Sequence, residues 1–194
     1  MPRRLLALVS CLICCLLSGC LVPEKFKASA SIRDDGSFIY HYEGTAVHAL
    51  AAAQIAKQGN LSAKDEADIR QGAEKEATKP GVKKFEYLGK ARFQVELELE
   101  NKSGKEKNSL NLISVRQDKD GTFTVSSPVL KGKDQKKLER LGIRPSGVIS
   151  VALPATAQVI SHNASSTPGF FDKSYSWKVA SFAQQIELRY RLEN

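Results

Sequence analysis

The sequence predicts an α+β fold: a curved, mostly antiparallel sheet with a helix pair after the first hairpin and a short helix before the last strands. Three observations carry this. Stretches that alternate apolar and polar residues recur along the chain. Turn-forming clusters separate most of them at hairpin distance. The helical patterns are bunched instead of alternating with strands, which argues against a doubly wound parallel sheet. A chain of 194 residues can build one domain with a real core, and 42% hydrophobic with 26% charged residues is a globular balance. No internal repeat and no long linker divides it.

The first element is a leader. Met1 to Arg4 is a short positive stretch, and Leu5 to Leu17 (LLALVSCLICCLL) is apolar. A membrane-spanning helix needs about 20 apolar residues, so this run is too short to cross and has the length of a secretory signal core. Cys11, Cys14 and Cys15 lie inside it as small hydrophobes. Then comes Leu17-Ser18-Gly19-Cys20. This run resembles the lipobox of bacterial lipoproteins. The resemblance implies a diacylglyceryl group on the Cys20 thiol and cleavage before it, so that residues 1–19 are a signal peptide and 20–194 a single α+β domain. Cys20 is then the sole thiol of the mature chain, which leaves no disulfide framework and no Cys-based metal site. Leu21 follows where inner-membrane lipoproteins of two-membrane bacteria commonly carry Asp. This points to the periplasmic face of the outer membrane in such a host.

From Phe26 the pattern has period two: Phe26, Ala28, Ala30 and Ile32 face one way, Lys25, Lys27, Ser29 and Arg33 the other. Asp34-Asp35-Gly36 is a turn. With Gly36 left-handed, a three-residue loop puts Phe38, Tyr40 and Tyr42 on the face of Ile32, Ala30 and Ala28; a two-residue loop would set Phe38 against Arg33. Thr45 to Gln58 is an Ala-rich helix pattern ended by Gly59-Asn60. Ser62 reads as the N-cap of a charged second helix reaching about Lys79, with Ile69, Ala73 and Ala77 inward.

Strands resume at Val82. Phe93, Val95, Leu97 and Leu99 alternate cleanly with Gln94, Glu96, Glu98 and Glu100. Leu110–Arg116 and Thr122–Val129 form a hairpin about Asp118 to Gly121. Lys133 to Leu141 is a short basic helix closed by Gly142. Val148–Leu153 and Ala157–Ile160 read as buried strands, Ser161–Gly169 as a loop. Strands around Tyr175, Trp177 and Val179, and from Ile186 to Leu192, end the chain.

No pattern specifies catalysis. His41, His48 and His162 lack zinc-ligand spacing, and no phosphate-binding or nucleophile motif occurs. Glu96 and Glu98 read as the solvated side of a sheet. The chain is therefore read as a non-enzyme with no cofactor, no metal site and no catalytic residues. The net charge is +8; Arg3 and Arg4 fall in the leader and no acid does, which leaves +6 beyond it. Lys131, Lys133, Lys136, Lys137, Arg140 and Arg144 crowd one segment against Asp134 and Glu139. Two readings stand: a solvated helix face with Leu138 and Leu141 inward, or contact with an anionic membrane surface. Nucleic acid is disfavoured by export and by the absence of aromatic residues among these lysines.

The segment VALPATAQVISHNASSTPGFFDKSYSWKV, residues 151 to 179, resembles the end of the LppM family of bacterial lipoproteins. Pro154, Asn163 and Trp177 fall in matching places, while Ala155 and Ala164 stand where the family favours Gly. The resemblance implies a curved sheet with packed helices in an envelope lipoprotein that binds lipid or glycolipid, and no catalytic residues. The resulting expectation is a lipid-anchored envelope protein that binds a hydrophobic or anionic ligand. The alternative is an assembly lipoprotein that docks a protein partner.

Overall fold

The computed structural model describes residues 21–105, 110, 112–170 and 172–193; the expected leader and the lipobox-like run Leu17 to Cys20 lie outside the described residues. The fold is mixed α+β, as the sequence predicts. Its strands divide into two sheets that do not close into a barrel. The first half runs β1 (Leu21–Ile32), β2 (Phe38–His48), α1 (Ala49–Gln58), α2 (Ala63–Ala77), β3 (Val82–Gly89) and β4 (Arg92–Asn101). The second runs β5 (Ser114–Gln117), β6 (Phe123–Ser126), α3 (Gly132–Arg140), β7 (Ser146–Ala152), β8 (Ala157–His162), β9 (Ser174–Val179) and β10 (Glu187–Leu192). One sheet has the order β3-β4-β2-β1-β7-β9, the other β5-β6-β10-β8. Among the described residues the strands pair antiparallel except β1 with β7.

The first hairpin forms as its local chemistry dictates. The Gly36 amide donates to the Arg33 carbonyl at 3.0 Å, the Arg33 amide to Ser37 at 2.8 Å, and Gly36 has φ 76°. That is a type I turn closed by a left-handed glycine. It sets Ile32 opposite Phe38, Ala30 opposite Tyr40 and Ala28 opposite Tyr42. The inward face of this sheet meets Val115, Phe123, Val125, Leu188 and Tyr190 of the other in one core. Tyr40 is fully buried, and its hydroxyl finds the Leu110 carbonyl at 2.8 Å.

Tertiary pairing moves three boundaries. β1 begins at Leu21, ahead of the periodic run, because its register shifts between Pro23 and Phe26. A bulge there changes the parity of inward positions, so a period-two reading starts too late. The Ala-rich helix begins at Ala49 and not Thr45. Thr45, Ala46 and Val47 pair with Gln94, Phe93 and Arg92, which overrides their helical pattern. Leu110 and Ile113 are buried without belonging to a strand, and only Ser114–Gln117 pairs with β6. In α2, Ile69 and Ala73 reach the core, whereas Ala77 is exposed.

Phe26 sits opposite a glycine on each side, Gly44 on β2 and Gly147 on β7. A methyl group at Gly44 would lie 2.2 Å from the Lys25 carbonyl oxygen and 2.6 Å from the Phe26 Cα. Backbone cannot step aside as a side chain can. Gly44→Ala is therefore expected to cost about 1–3 kcal/mol, the range of an overpacked interior site. A lowered midpoint in urea at unchanged slope would show it, and an unchanged midpoint would refute the close approach.

Candidate functional site

The start of the described chain fixes one end of the molecule. Leu21 pairs with His48, Val47 with Arg92, and Arg92 with Gly89. The end of β2, the β3–β4 turn and the first residue of β1 therefore share an end. The start of β7 and the close of β9 lie near it, since Lys25 pairs with Ser146 and Gly147 with Val179. Leu21, the first described residue, lies at this end.

Two helices cover it. On α1, Ala49 and Ala52 pack in one cluster with Val47, while Ala51 packs with Leu61 and Ala91 in a second. The helix thus lies across the strand ends. Its N-cap is His48, whose Nδ1 accepts from the Ala51 amide at 3.1 Å. The second helix is α3. Leu138 is buried against Val47 and Ile143, and Leu141 and Val22 pack on the same cluster. Gln135 donates to Ser181 at 3.2 Å, and the Leu130 amide to the Phe182 carbonyl at 3.2 Å. Gly142, with φ 71°, closes the helix and returns the chain toward β7.

The predicted basic residues follow from this packing. With Leu138 held inward, Lys131, Lys133, Lys136, Lys137 and Arg140 are all exposed, as is Arg144. Lys137 pairs with Asp134 at 3.5 Å. Among the described residues the other four helix cations show no ion pair. Lys131 caps the helix without a side-chain hydrogen bond. Arg92, nearby, is instead neutralised by a two-point contact with Glu24 at 3.1 Å.

Sequence reasoning missed what surrounds this cluster. Of the large apolar side chains left exposed, Leu50 stands on the first turn of α1, Leu88 before the β3–β4 turn and Val129 just ahead of α3. Lys90 and Ala91, in the β3–β4 turn, hold φ 49° and 62°, a conformation that favours glycine. No local signal brings Val22 to Leu138, because only the fold joins them.

Other candidates go elsewhere. His41 lies half-buried on the outer face of the six-stranded sheet, in a shallow depression with Lys27, Glu43 and Ser150. Glu98 is exposed and pairs with Lys83 at 3.5 Å. Asn163 and Trp177 meet: the indole donates to Asn163 Oδ1 at 2.8 Å, and the Glu187 amide donates to the same oxygen at 2.9 Å. Between the sheets, Phe26, Ile149, Ile186 and Phe182 line a cleft of about 30 Å³, room for roughly one water molecule.

No family model matches the chain, and no curated protein matches it. Among solved structures it is similar to the folded domain of the LppM protein of Mycobacterium tuberculosis, determined by NMR. The TM-score is 0.42 at 10% identity, over 88% of this chain and 91% of that one. This likeness is too low to carry a functional assignment. No helix among the described residues is long and apolar enough to cross a membrane.

The cap on α1 is a titratable one. Burial holds the His48 imidazole below its usual pKa. In the unfolded chain it keeps an ordinary value near 6.5, so below that pH the unfolded state binds the proton more readily. Stability is then full above about pH 6.5 and falls as pH drops through the window beneath it. A protonated ring also loses its acceptor, and a lost N-cap costs about 1 kcal/mol. Thermal melts between neutral and mildly acid pH are expected to show this loss in the native chain. The loss should be smaller in His48→Ser, which keeps an acceptor.

Proposed function

We propose that this chain is a bacterial envelope lipoprotein, anchored through acylated Cys20, that acts by contact and not by catalysis. The Leu17-Ser18-Gly19-Cys20 run behind a short positive and apolar leader supports the anchor. One observation shapes the rest: Leu21, the next residue, already belongs to β1 and is paired with His48. No tether separates the acylated residue from the folded body. More than one acyl chain makes such an anchor stable, where one alone is marginal. The absence of Asp after the Cys favours the outer membrane in a two-membrane host. The ligand class that fits is an anionic or amphiphilic envelope component held on the surface, where the unbalanced cations of α3 stand exposed.

A second reading, docking of a protein partner, draws support from β8. It is an edge strand of sequence AQVISH with Ile160 exposed and no Lys, Arg, Asp or Glu. Edges commonly carry charge against pairing, as Lys83 and Lys84 do on β3, the edge of the other sheet. A photocrosslinker at Gln158 should then capture one abundant envelope protein, and Ile160→Lys should abolish the capture. Scattered labelling would dispose of this reading.

Anchoring has its own measurement. Labelled fatty acid fed to cells is expected to enter the native protein and not Cys20→Ser, which should leave the membrane fraction or remain uncleaved. Equal label in both proteins would end the lipoprotein assignment.

A further inference from the structure

We propose that the end of the domain built by α1 and α3 is a docking surface for anionic phospholipid headgroups, and that it holds the body upright on the membrane. The proposal rests on the reading of Cys20 as the acylated residue. It adds a second, electrostatic contact to the first.

The position comes from packing. Leu138 and Leu141 share a cluster with Val22, two residues beyond Cys20. The apolar side of α3 is thereby spent on the root of the anchor strand, and the cationic side is left facing outward at the same end. Attraction to an anionic leaflet fades within a Debye length, about 8 Å at physiological salt. A cluster at the far end of β1 would lie well outside that range. β1 has 12 residues, and at roughly 3.3 Å per residue it stands about 40 Å long.

The charge pattern of α3 runs against the helix's own interest. Asp134 in the first turn and Lys137 and Arg140 in the last complement its dipole, whereas Lys131 and Lys133, at the start, oppose it. Lys131 also occupies the N-cap without capping. A solvated helix face does not need cations at its positive end. A surface meeting phosphate groups does. Leu50, Leu88 and Val129, exposed at this end, supply apolar side chains for the headgroup boundary. Lys90 adds a cation on a turn whose backbone conformation favours Gly or Asn.

The test uses the processed, acylated chain in two kinds of vesicle, phosphatidylcholine alone and equal parts phosphatidylcholine and phosphatidylglycerol. Lysines are acetylated with a water-soluble reagent and read by mass spectrometry. Lys119, in the turn between β5 and β6 at the opposite end, is the internal reference. Modification at Lys133 and Lys136 is expected to be about fivefold slower on the anionic vesicles, the scale of one basic residue's attraction to such a surface. The ratio at Lys119 should not change. Molar salt, or the variant Lys137→Glu with Arg140→Glu, should abolish the protection; both sites are exposed, and an unchanged melting temperature would show that the variant is folded. Equal rates in the two vesicles, or protection that survives charge reversal, would overturn the proposal and leave an acidic protein as the occupant. Flotation separates the two contacts. A chain that floats with both vesicles but shows no selective protection keeps its anchor and loses this surface. A chain that floats with the anionic vesicles alone keeps this surface and loses the anchor.

Discussion

Phe26 is the residue on which the arrangement turns. Its ring lies between two strands that offer it only glycine, Gly44 and Gly147, and it stacks on Tyr42 with centroids 6.0 Å apart. Added methyl groups at both glycines would strike it or its backbone. β1 shifts register between Pro23 and Phe26, so this is also where the central strand changes which residues face inward. The ring lines the small cleft between the sheets together with Ile149 and Ile186. Burying a Phe contributes about 1.5–3 kcal/mol, a large part of any small domain's margin. More important is what the bulge does to the residues before it. Leu21 and Val22 stay in the sheet, where they meet His48 and Val47.

That continuity gives the end at Leu21 its order. A strand that frayed before Phe26 would leave five residues of loose chain, Leu21 to Lys25, ahead of the domain. Instead Val22 packs with the α3 cluster, and the Leu21–His48 pair leads directly into α1. The fold thus orders the end at Leu21 by itself. Binding by a pre-ordered end avoids much of the ordering cost that a flexible arm pays.

What the sequence revealed and what it hid follow one division. Asp34-Asp35-Gly36 was legible because a left-handed glycine at the end of a type I turn is a local event, and the register Ile32 to Phe38 follows from it. Ser62 was legible for the same reason, its hydroxyl accepting from the Asp65 amide at 3.0 Å. The basic run was legible as composition. The split into two sheets was not, because alternation tells which face of a strand is buried and never which strand lies beside it. β7 returns parallel to β1 only after nearly the whole chain between them has been laid down. The bulge at Pro23 disguised the true start of β1, and Thr45 to Val47 looked helical until β4 claimed them. The placement of α3 depends on Val47 meeting Leu138, a contact no window of sequence contains.

The two ends of the molecule spend their charges differently, and this bears on whether the α3 cluster is ordinary surface. At the far end arginines are matched to carboxylates: Arg33 with Glu100, Arg116 with Asp118 at 3.1 Å, Arg191 with Asp120 at 3.4 Å. Exposed pairs of this kind contribute little to stability, about 0–1 kcal/mol each, so their interest lies in the balance they strike. At the end near Cys20, the salt bridge of Arg92 with Glu24 is balanced in the same way, but α3 is not. Solubility alone would be served by mixed signs, as on β4 and β3, where Glu98 faces Lys83. An unbalanced positive end repels itself and gains nothing from water that a mixed surface would not also gain. Opposite charge supplied from outside removes that repulsion. Under the proposed Cys20 anchor, a leaflet rich in phosphate is a partner whose charge complements this end.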